Sequence, residues 1–100
     1  MTDIKFDSKV LEAVAEALSP HADDMFKDRA GHWMAIVEFG HVERTEPGIE
    51  GDKPQAVKIR VTGIEVAADE FTDEKLRSQQ RSMYERRTSR GTLFENKQSA

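Results

Sequence analysis

Two strand-like segments joined by a long loop constrain the fold more than any other feature of the sequence. In residues 56–67, Val57, Ile59 and Val61 alternate with polar residues, the period of a strand with one buried face. Residues 33–43 have the pattern of a second strand, with apolar residues on both faces. Two strands alone seldom form a stable sheet. Either helices cover this antiparallel hairpin, or a second copy of the chain completes a four-stranded sheet across a two-fold axis.

The alternation in residues 56–67 changes phase at Gly63. Ile64 and Val66 have the opposite parity from Val57 and Ile59, so a regular strand would turn them to the other face. One extra residue at Gly63 returns them to the same face. The phase change therefore predicts a β-bulge at this position.

Helices are expected on both sides of the hairpin in the sequence. Helical spacing of apolar residues and the placement of Pro20 predict three of them, over residues 8–18, 20–30 and 72–88. The predicted order is α-α-β-β-α, which is an α+β fold. Residues 1–94 are expected to form a single domain, and residues 95–100 are expected to form a frayed C-terminal tail.

Polar residues and glycine at the ends of these segments predict the caps. Asp7 or Ser8 is expected to cap the first helix, Ser19 the second and Thr72 the third, because short oxygen-bearing side chains accept bonds from free amides. Gly31 is expected to end the second helix in a left-handed conformation.

The composition excludes several classes of protein. The chain of 100 residues has no Cys, which excludes a disulfide scaffold, a thiolate metal site and a cysteine nucleophile. Its longest apolar run, residues 33–37, is far shorter than the ~20 residues of a membrane span. The acidic N-terminus does not have the pattern of a signal peptide. We therefore expect a cytoplasmic protein that does not enter a membrane.

Charge is distributed unevenly along the chain. The formal net charge is −4, but residues 1–50 hold 5 Lys and Arg against 11 Asp and Glu, a charge of −6. Residues 51–100 hold 10 against 8, a charge of +2. The basic residues concentrate in residues 75–90. The candidate binding residues in this stretch are Lys75, Arg77, Arg81, Tyr84, Arg86, Arg87 and Arg90.

Two interpretations of this basic stretch stay open. Its arginines suit nucleic-acid phosphates or an acidic partner, and Tyr84 suits stacking under a guanidinium or on a base. Alternatively, the helix is solvated and pairs with the acidic half of its own chain or of a dimer mate. A sequence pI of about 5.4 argues against a uniformly basic nucleic-acid protein.

Catalytic chemistry has little support in the sequence. No nucleophile motif and no phosphate-binding glycine loop is present. His41 and Glu43 share a face of the strand and would allow a metal-dependent enzyme, but two ligands do not make a site. We expect a non-enzymatic protein without a cofactor.

Two segments resemble known proteins. The sequence VKIRVTGIEVA at 57–67, followed by RSMYERRTSRGTLF at 81–94, is similar to small uncharacterised proteins of actinobacterial phages and mobile elements. The resemblance implies a host-cytoplasm setting and an accessory role, and it transfers no activity and no site residues.

The sequence as a whole predicts a homodimeric protein-interaction module. Its expected role is that of a phage-encoded accessory factor that binds a host or phage protein complex. The alternative is a nucleic-acid-binding accessory factor that uses the Arg-rich helix 72–88.

Overall fold

Over its described residues the chain has an α+β fold with a three-stranded mixed sheet and three α-helices, as the α+β class predicted from the sequence requires. The computed structural model describes residues 1–49, 51 and 53–89. The elements follow in the order β1 (Asp3–Phe6), α1 (Glu12–Leu18), a 3-10 turn (Ser19–His21), α2 (Ala22–Lys27), β2 (Ala35–Thr45), β3 (Ala56–Val66) and α3 (Glu70–Thr88).

β3 is the central strand of the sheet. β1 runs parallel to it on one side, with Asp3 opposite Ala56 and Phe6 opposite Ile59. β2 lies on its other side and runs antiparallel to it, because the sheet is mixed. The predicted hairpin is therefore present as β2 and β3.

The predicted order α-α-β-β-α is wrong at its beginning, because a strand precedes the first helix. Residues 3–6 alternate polar and apolar side chains, but four residues carry too little periodicity to predict a strand. The pairing is also non-local, since Asp3 lies opposite a residue 53 positions later. Backbone bonds extend the ladder at both ends of β1: Asp3 N donates to Gln55 O at 2.9 Å, and Asp7 N donates to Ile59 O at 2.8 Å.

The first helix begins later than predicted because Asp7 has other partners. Its carboxylate accepts bonds from Arg60 Nε at 2.7 Å and from the Lys9 amide at 3.2 Å. α1 starts at Glu12, and the residue before it, Leu11, offers no side-chain cap.

The second predicted helix is shorter than residues 20–30 and is divided into the 3-10 turn and α2. Ser19 lies inside the 3-10 turn and does not cap it. Gly31 does not end α2 in a left-handed conformation, because the chain leaves the helix at Asp28, where φ is −102° and ψ is 92°. The Asp28 carboxylate accepts the Ala30 amide at 3.2 Å, which stabilises this earlier turn.

The chain divides into two compact units. The first consists of Met1–His32 and Ile36–Val66 and holds β1, α1, α2 and nearly all of the sheet. The second consists of Trp33–Ala35 together with the described residues from Ala67 onward, including α3. Within the second unit, Ala67 N donates to Met34 O at 2.9 Å. The predicted tail at residues 95–100, like the end of the predicted single domain at residue 94, lies outside the described residues.

Thr62 and Gly63 of β3 both lie close to Glu38 of β2. Thr62 Oγ1 donates to Glu38 Oε1 at 2.8 Å, and a Cβ added at Gly63 would lie 3.7 Å from Glu38 Cβ. The strand Ala56–Val66 is continuous through this position, and the β-bulge at Gly63 stays a prediction.

Buried apolar packing in the described residues is limited. Val14 of α1 and Ala56 of β3 are the buried hydrophobic residues among them, and α1 packs against β3. Val10 and Phe26, apolar residues of the first two predicted helices, are both more than half exposed. Much of the apolar surface is therefore still in contact with solvent.

Gly40 lies in close contact with Thr62, and this contact generates a stability prediction. A Cβ at Gly40 would lie 2.7 Å from Thr62 Cγ2, and Thr62 is held in place by its bond to Glu38. Gly40→Ala should therefore lower the free energy of unfolding by roughly 1–3 kcal/mol, the usual range for overpacking.

Gly63→Ala is the matched control for this prediction in urea denaturation. Its new methyl would make only ordinary contact at 3.7 Å, so it should leave stability unchanged or raise it slightly through lost chain entropy. Equal effects of the two substitutions would contradict the close contact at Gly40.

The ion pair between Asp7 and Arg60 joins the end of β1 to β3. Both side chains are partly buried, and Arg60 Nε donates to Asp7 Oδ2 at 2.7 Å. The Arg60 hydrogen bond holds the pKa of Asp7 below its ordinary value of 3.8, against the opposing effect of burial, and the Lys9 amide adds to the lowering. The ionised form of Asp7 is thus favoured in the folded state.

This lowered pKa predicts how stability depends on pH. A carboxyl with a lower pKa in the folded than in the unfolded state stabilises the fold above the unfolded value, and the effect is lost as the pH falls through the folded value. Asp7→Asn should therefore be less stable than the unchanged chain at about pH 7, and the difference should shrink as the pH falls below 3.8.

Urea denaturation across this pH range measures the effect. Asp3→Asn is the control, because Asp3 is an exposed carboxylate of β1 that makes no ion pair with a described residue. A constant difference between Asp7→Asn and the unchanged chain at every pH would contradict the assignment.

Candidate functional site

The basic segment that the sequence singles out lies on α3, a helix of 19 residues with well-defined ends. Asp69 caps the helix by accepting the Thr72 amide at 2.7 Å, and this bond lowers the pKa of Asp69. Thr72 is therefore not the cap, and the helix begins two residues before the predicted position. Glu70 and Asp73 in the first turn favour the positive end of the helix dipole.

The C-terminal end of α3 is stabilised by two hydroxyl groups. Thr88 Oγ1 donates to Tyr84 O at 2.8 Å, and Ser89 Oγ donates to Glu85 O at 2.6 Å. Glu85 O also accepts the Ser89 amide at 2.9 Å, so the hydroxyl bonds add to the backbone bonds of the last turn. The helix is continuous through the turn that carries Arg86 and Arg87.

One side of α3 carries a shallow groove whose lining is mainly basic and aromatic. Successive spacings of three, one and three residues place its side chains on one side of a helix with 3.6 residues per turn. We call this set the arginine face, and it consists of Arg77, Gln80, Arg81 and Tyr84.

The arginines on and beside the arginine face differ in their interactions, which are an ion pair, a cation–π contact or neither. Arg77 Nε donates to Asp73 Oδ2 at 2.6 Å, an ion pair one turn apart on the same helix. Arg81 is exposed and makes no ion pair with a described residue. The Arg87 guanidinium lies over the Tyr84 ring, 5.3 Å from its centroid, which is cation–π geometry. An unneutralised cation therefore lies one turn from a stacked aromatic ring.

The remaining candidate residues lie elsewhere on the helix. Lys75 Nζ is 5.5 Å from the centroid of the Phe71 ring, and both residues line a second shallow groove with Glu70 and Glu74. Arg86 follows Arg77 by nine residues, which places it on the opposite side of the helix. Arg90 lies outside the described residues.

Composition and charge locate the basic residues of this site but not how they are grouped. Neither Gln80, which shares the groove with Tyr84, nor Phe71, the partner of Lys75, is among the residues that charge singles out. The signal for Gln80 was available in its spacing from Arg77 and Tyr84. The ring contacts depend on side-chain rotamers, which no sequence spacing specifies.

Apolar side chains on α3 face solvent. No described residue of the helix is buried, and Phe71, Met83 and Tyr84 are each more than half exposed. An exposed aromatic residue among arginines is the composition enriched at protein interfaces. α3 therefore presents aromatic rings and guanidinium groups to solvent.

Of the pair His41 and Glu43, which the sequence offers for a metal, Glu43 lies beside a lysine in the structure. Glu43 Oε2 lies 3.9 Å from Lys58 Nζ. Among the residues that the structure describes, no three His, Asp or Glu side chains form a group able to hold a metal ion. No described helix is long and apolar enough to cross a membrane.

The chain was compared with protein-family models, with curated proteins and with solved structures, and no match was found in any of the three.

Proposed function

We propose that this chain is a non-enzymatic protein-interaction module that binds an acidic surface of its partner through the arginine face of α3. The observation that carries the proposal is Arg81, an exposed arginine without an ion pair among the described residues, in the same groove as an exposed tyrosine. Arg and Tyr are the residues that most often dominate binding energy at protein interfaces.

The chemistry of the groove favours carboxylates. A guanidinium presents several N–H donors in a plane and binds a carboxylate through two parallel hydrogen bonds. Gln80 adds an amide that donates and accepts, and Tyr84 adds apolar area with a hydroxyl group. An acidic segment with an apolar or aromatic residue nearby is the partner chemistry that fits this set.

The proposed setting comes from the resemblance at residues 57–67 and 81–94. It supports a phage-encoded accessory factor that acts in the host cytoplasm on a host or phage protein complex. Residues 81–89 of the second segment belong to α3 or follow it directly. The resemblance and the arginine face thus concern the same part of the chain.

Affinity purification of the tagged full chain from its native cells tests this function. Proteins retained by the unchanged chain after nuclease treatment should fall by about tenfold or more with Arg81→Glu, since a reversed charge opposes an acidic partner. Tyr84→Ala should weaken retention in the same direction.

Arg29→Glu is the matched control, because Arg29 is an exposed arginine outside α3 with no ion pair among the described residues. It makes the same charge change and should leave retention unaltered. A purified partner should then bind the unchanged chain directly and lose affinity with added salt. Equal loss with Arg29→Glu and Arg81→Glu would reject the arginine face as the binding surface.

A nucleic-acid-binding function is the second candidate, and the stacked pair of Tyr84 and Arg87 favours it. A ring with a guanidinium 5.3 Å from its centroid is a platform on which an unpaired base can stack while arginines contact phosphates. The same groove would then bind single strands with little sequence preference.

Binding of a labelled single-stranded oligonucleotide tests this alternative. The chain should bind at about 50 mM salt and lose affinity steeply towards about 200 mM. Tyr84→Ala should cost roughly 1–3 kcal/mol, whereas Tyr84→Phe should retain most of the affinity because the ring is kept. No binding at about 50 mM salt would reject the nucleic-acid function.

A further inference from the structure

One face of the sheet is apolar, and its members follow from the register of the strands. β1 and β3 pair in parallel, with Ile4 opposite Val57 and Phe6 opposite Ile59. Residues that lie opposite each other in a sheet point to the same face. These four apolar side chains therefore share one face.

β2 contributes to the same face through an aromatic contact. The rings of Phe6 and Phe39 are 6.0 Å apart between centroids and inclined by 59°, a favourable tilted geometry. Alternation along the strands then adds Val37 from β2 and Val61 from β3. We call this surface the apolar sheet face, and it consists of Ile4, Phe6, Val37, Phe39, Val57, Ile59 and Val61.

The apolar sheet face is open to solvent. Ile4 is 64% exposed, Phe6 68% and Phe39 52%, while Val37 is 37% exposed. None of its seven residues is charged. The opposite face of β3 carries Lys58 and Arg60.

We propose that a second copy of this chain covers the apolar sheet face, with the two faces packed against each other across a two-fold axis. A two-fold interface brings the same surface from each copy together. Because the apolar sheet face has no charge, two copies of it meet without like-charge repulsion. The opposite, charged face would not have this property.

The exposed area agrees with an interface of this kind. At the exposures given above, the two Phe side chains leave roughly 200 Å² in water, and the other members raise this to about 400–500 Å² per copy. Two copies then bury about 800–1,000 Å², and the upper end of this range reaches the lower limit for a specific interface.

Packing of the two faces differs from the dimer that the sequence predicts. Pairing of strand edges would extend the sheet and leave Phe6 and Phe39 in contact with water, whereas packing of the faces removes them from it. None of the seven residues belongs to α3. Failure to form the dimer and failure of α3 to bind a partner can therefore be told apart.

Light scattering of the full chain over a range of concentrations tests the proposal. The unchanged chain should show a mass approaching twice 11.3 kDa as the concentration rises. Phe6→Glu and Phe39→Glu should each weaken dimerisation by about a hundredfold or more, because each places a charge in an apolar interface.

Two exposed apolar residues outside the face supply matched controls. Ile36 is 64% exposed and lies on the other face of β2, and Phe26 is 86% exposed on α2. Ile36→Glu and Phe26→Glu make the same kind of change and should leave the dimer intact.

A monomer at every concentration would overturn the proposal. Loss of the dimer with Ile36→Glu and Phe39→Glu but not with Phe6→Glu would indicate edge pairing and would also overturn it.

A milder pair of variants keeps the proposal testable if a glutamate prevents folding. The chain has no native Cys, so Ile4→Cys and Ile36→Cys each introduce one thiol at a position of equal exposure. Reaction of Ile4→Cys with a maleimide should slow by about tenfold at concentrations that favour the dimer, whereas Ile36→Cys should react at a constant rate. Equal rates at all concentrations for Ile4→Cys would reject coverage of this face.

Discussion

The central position of β3 is the constraint on which the rest of the sheet depends. β3 pairs with β1 on one side and β2 on the other, so its backbone is satisfied by two neighbours that are distant from each other in sequence. The parallel register with β1 brings Asp7 to Arg60. The same register puts Ile4 and Phe6 on one face with Val57 and Ile59. A single strand thus determines both the ion pair on one face and the apolar surface on the other.

Elements with strong local signals could be predicted, and those that depend on distant partners could not. The alternation in residues 56–67 predicts a strand where Ala56–Val66 forms one, and helical spacing in 72–88 predicts a helix where Glu70–Thr88 forms one. β1 is stabilised by a partner 53 residues away, and nothing local in four residues predicts it. The same distant pairing explains the late start of α1, because Arg60 takes the Asp7 carboxylate that would otherwise cap the helix.

At the candidate site, the charge of the segment could be predicted from the sequence, but the surroundings of each arginine could not. Charge counting locates the basic segment, but it treats Arg77, Arg81 and Arg86 as equivalent. The helix separates them: Arg77 is paired with Asp73, Arg81 is exposed in the groove with Tyr84, and Arg86 is on the opposite side. The net charge of −4 therefore says little about binding. Whether an arginine can bind a partner depends on its exposure, its ion pairing and the side of the helix on which it lies.

The arginine face and the apolar sheet face respond to salt in opposite ways. Contacts of an exposed guanidinium weaken as ions screen the charge, with a Debye length of about 10 Å at 0.1 M salt. Burial of Phe6 and Phe39 is not screened, and salts such as sulfate strengthen it. A dimer held by the apolar sheet face would therefore persist in salt that releases the partner of α3. Each dimer would also carry two arginine faces, so a partner with repeated acidic segments would gain affinity from simultaneous binding wherever its spacing permits.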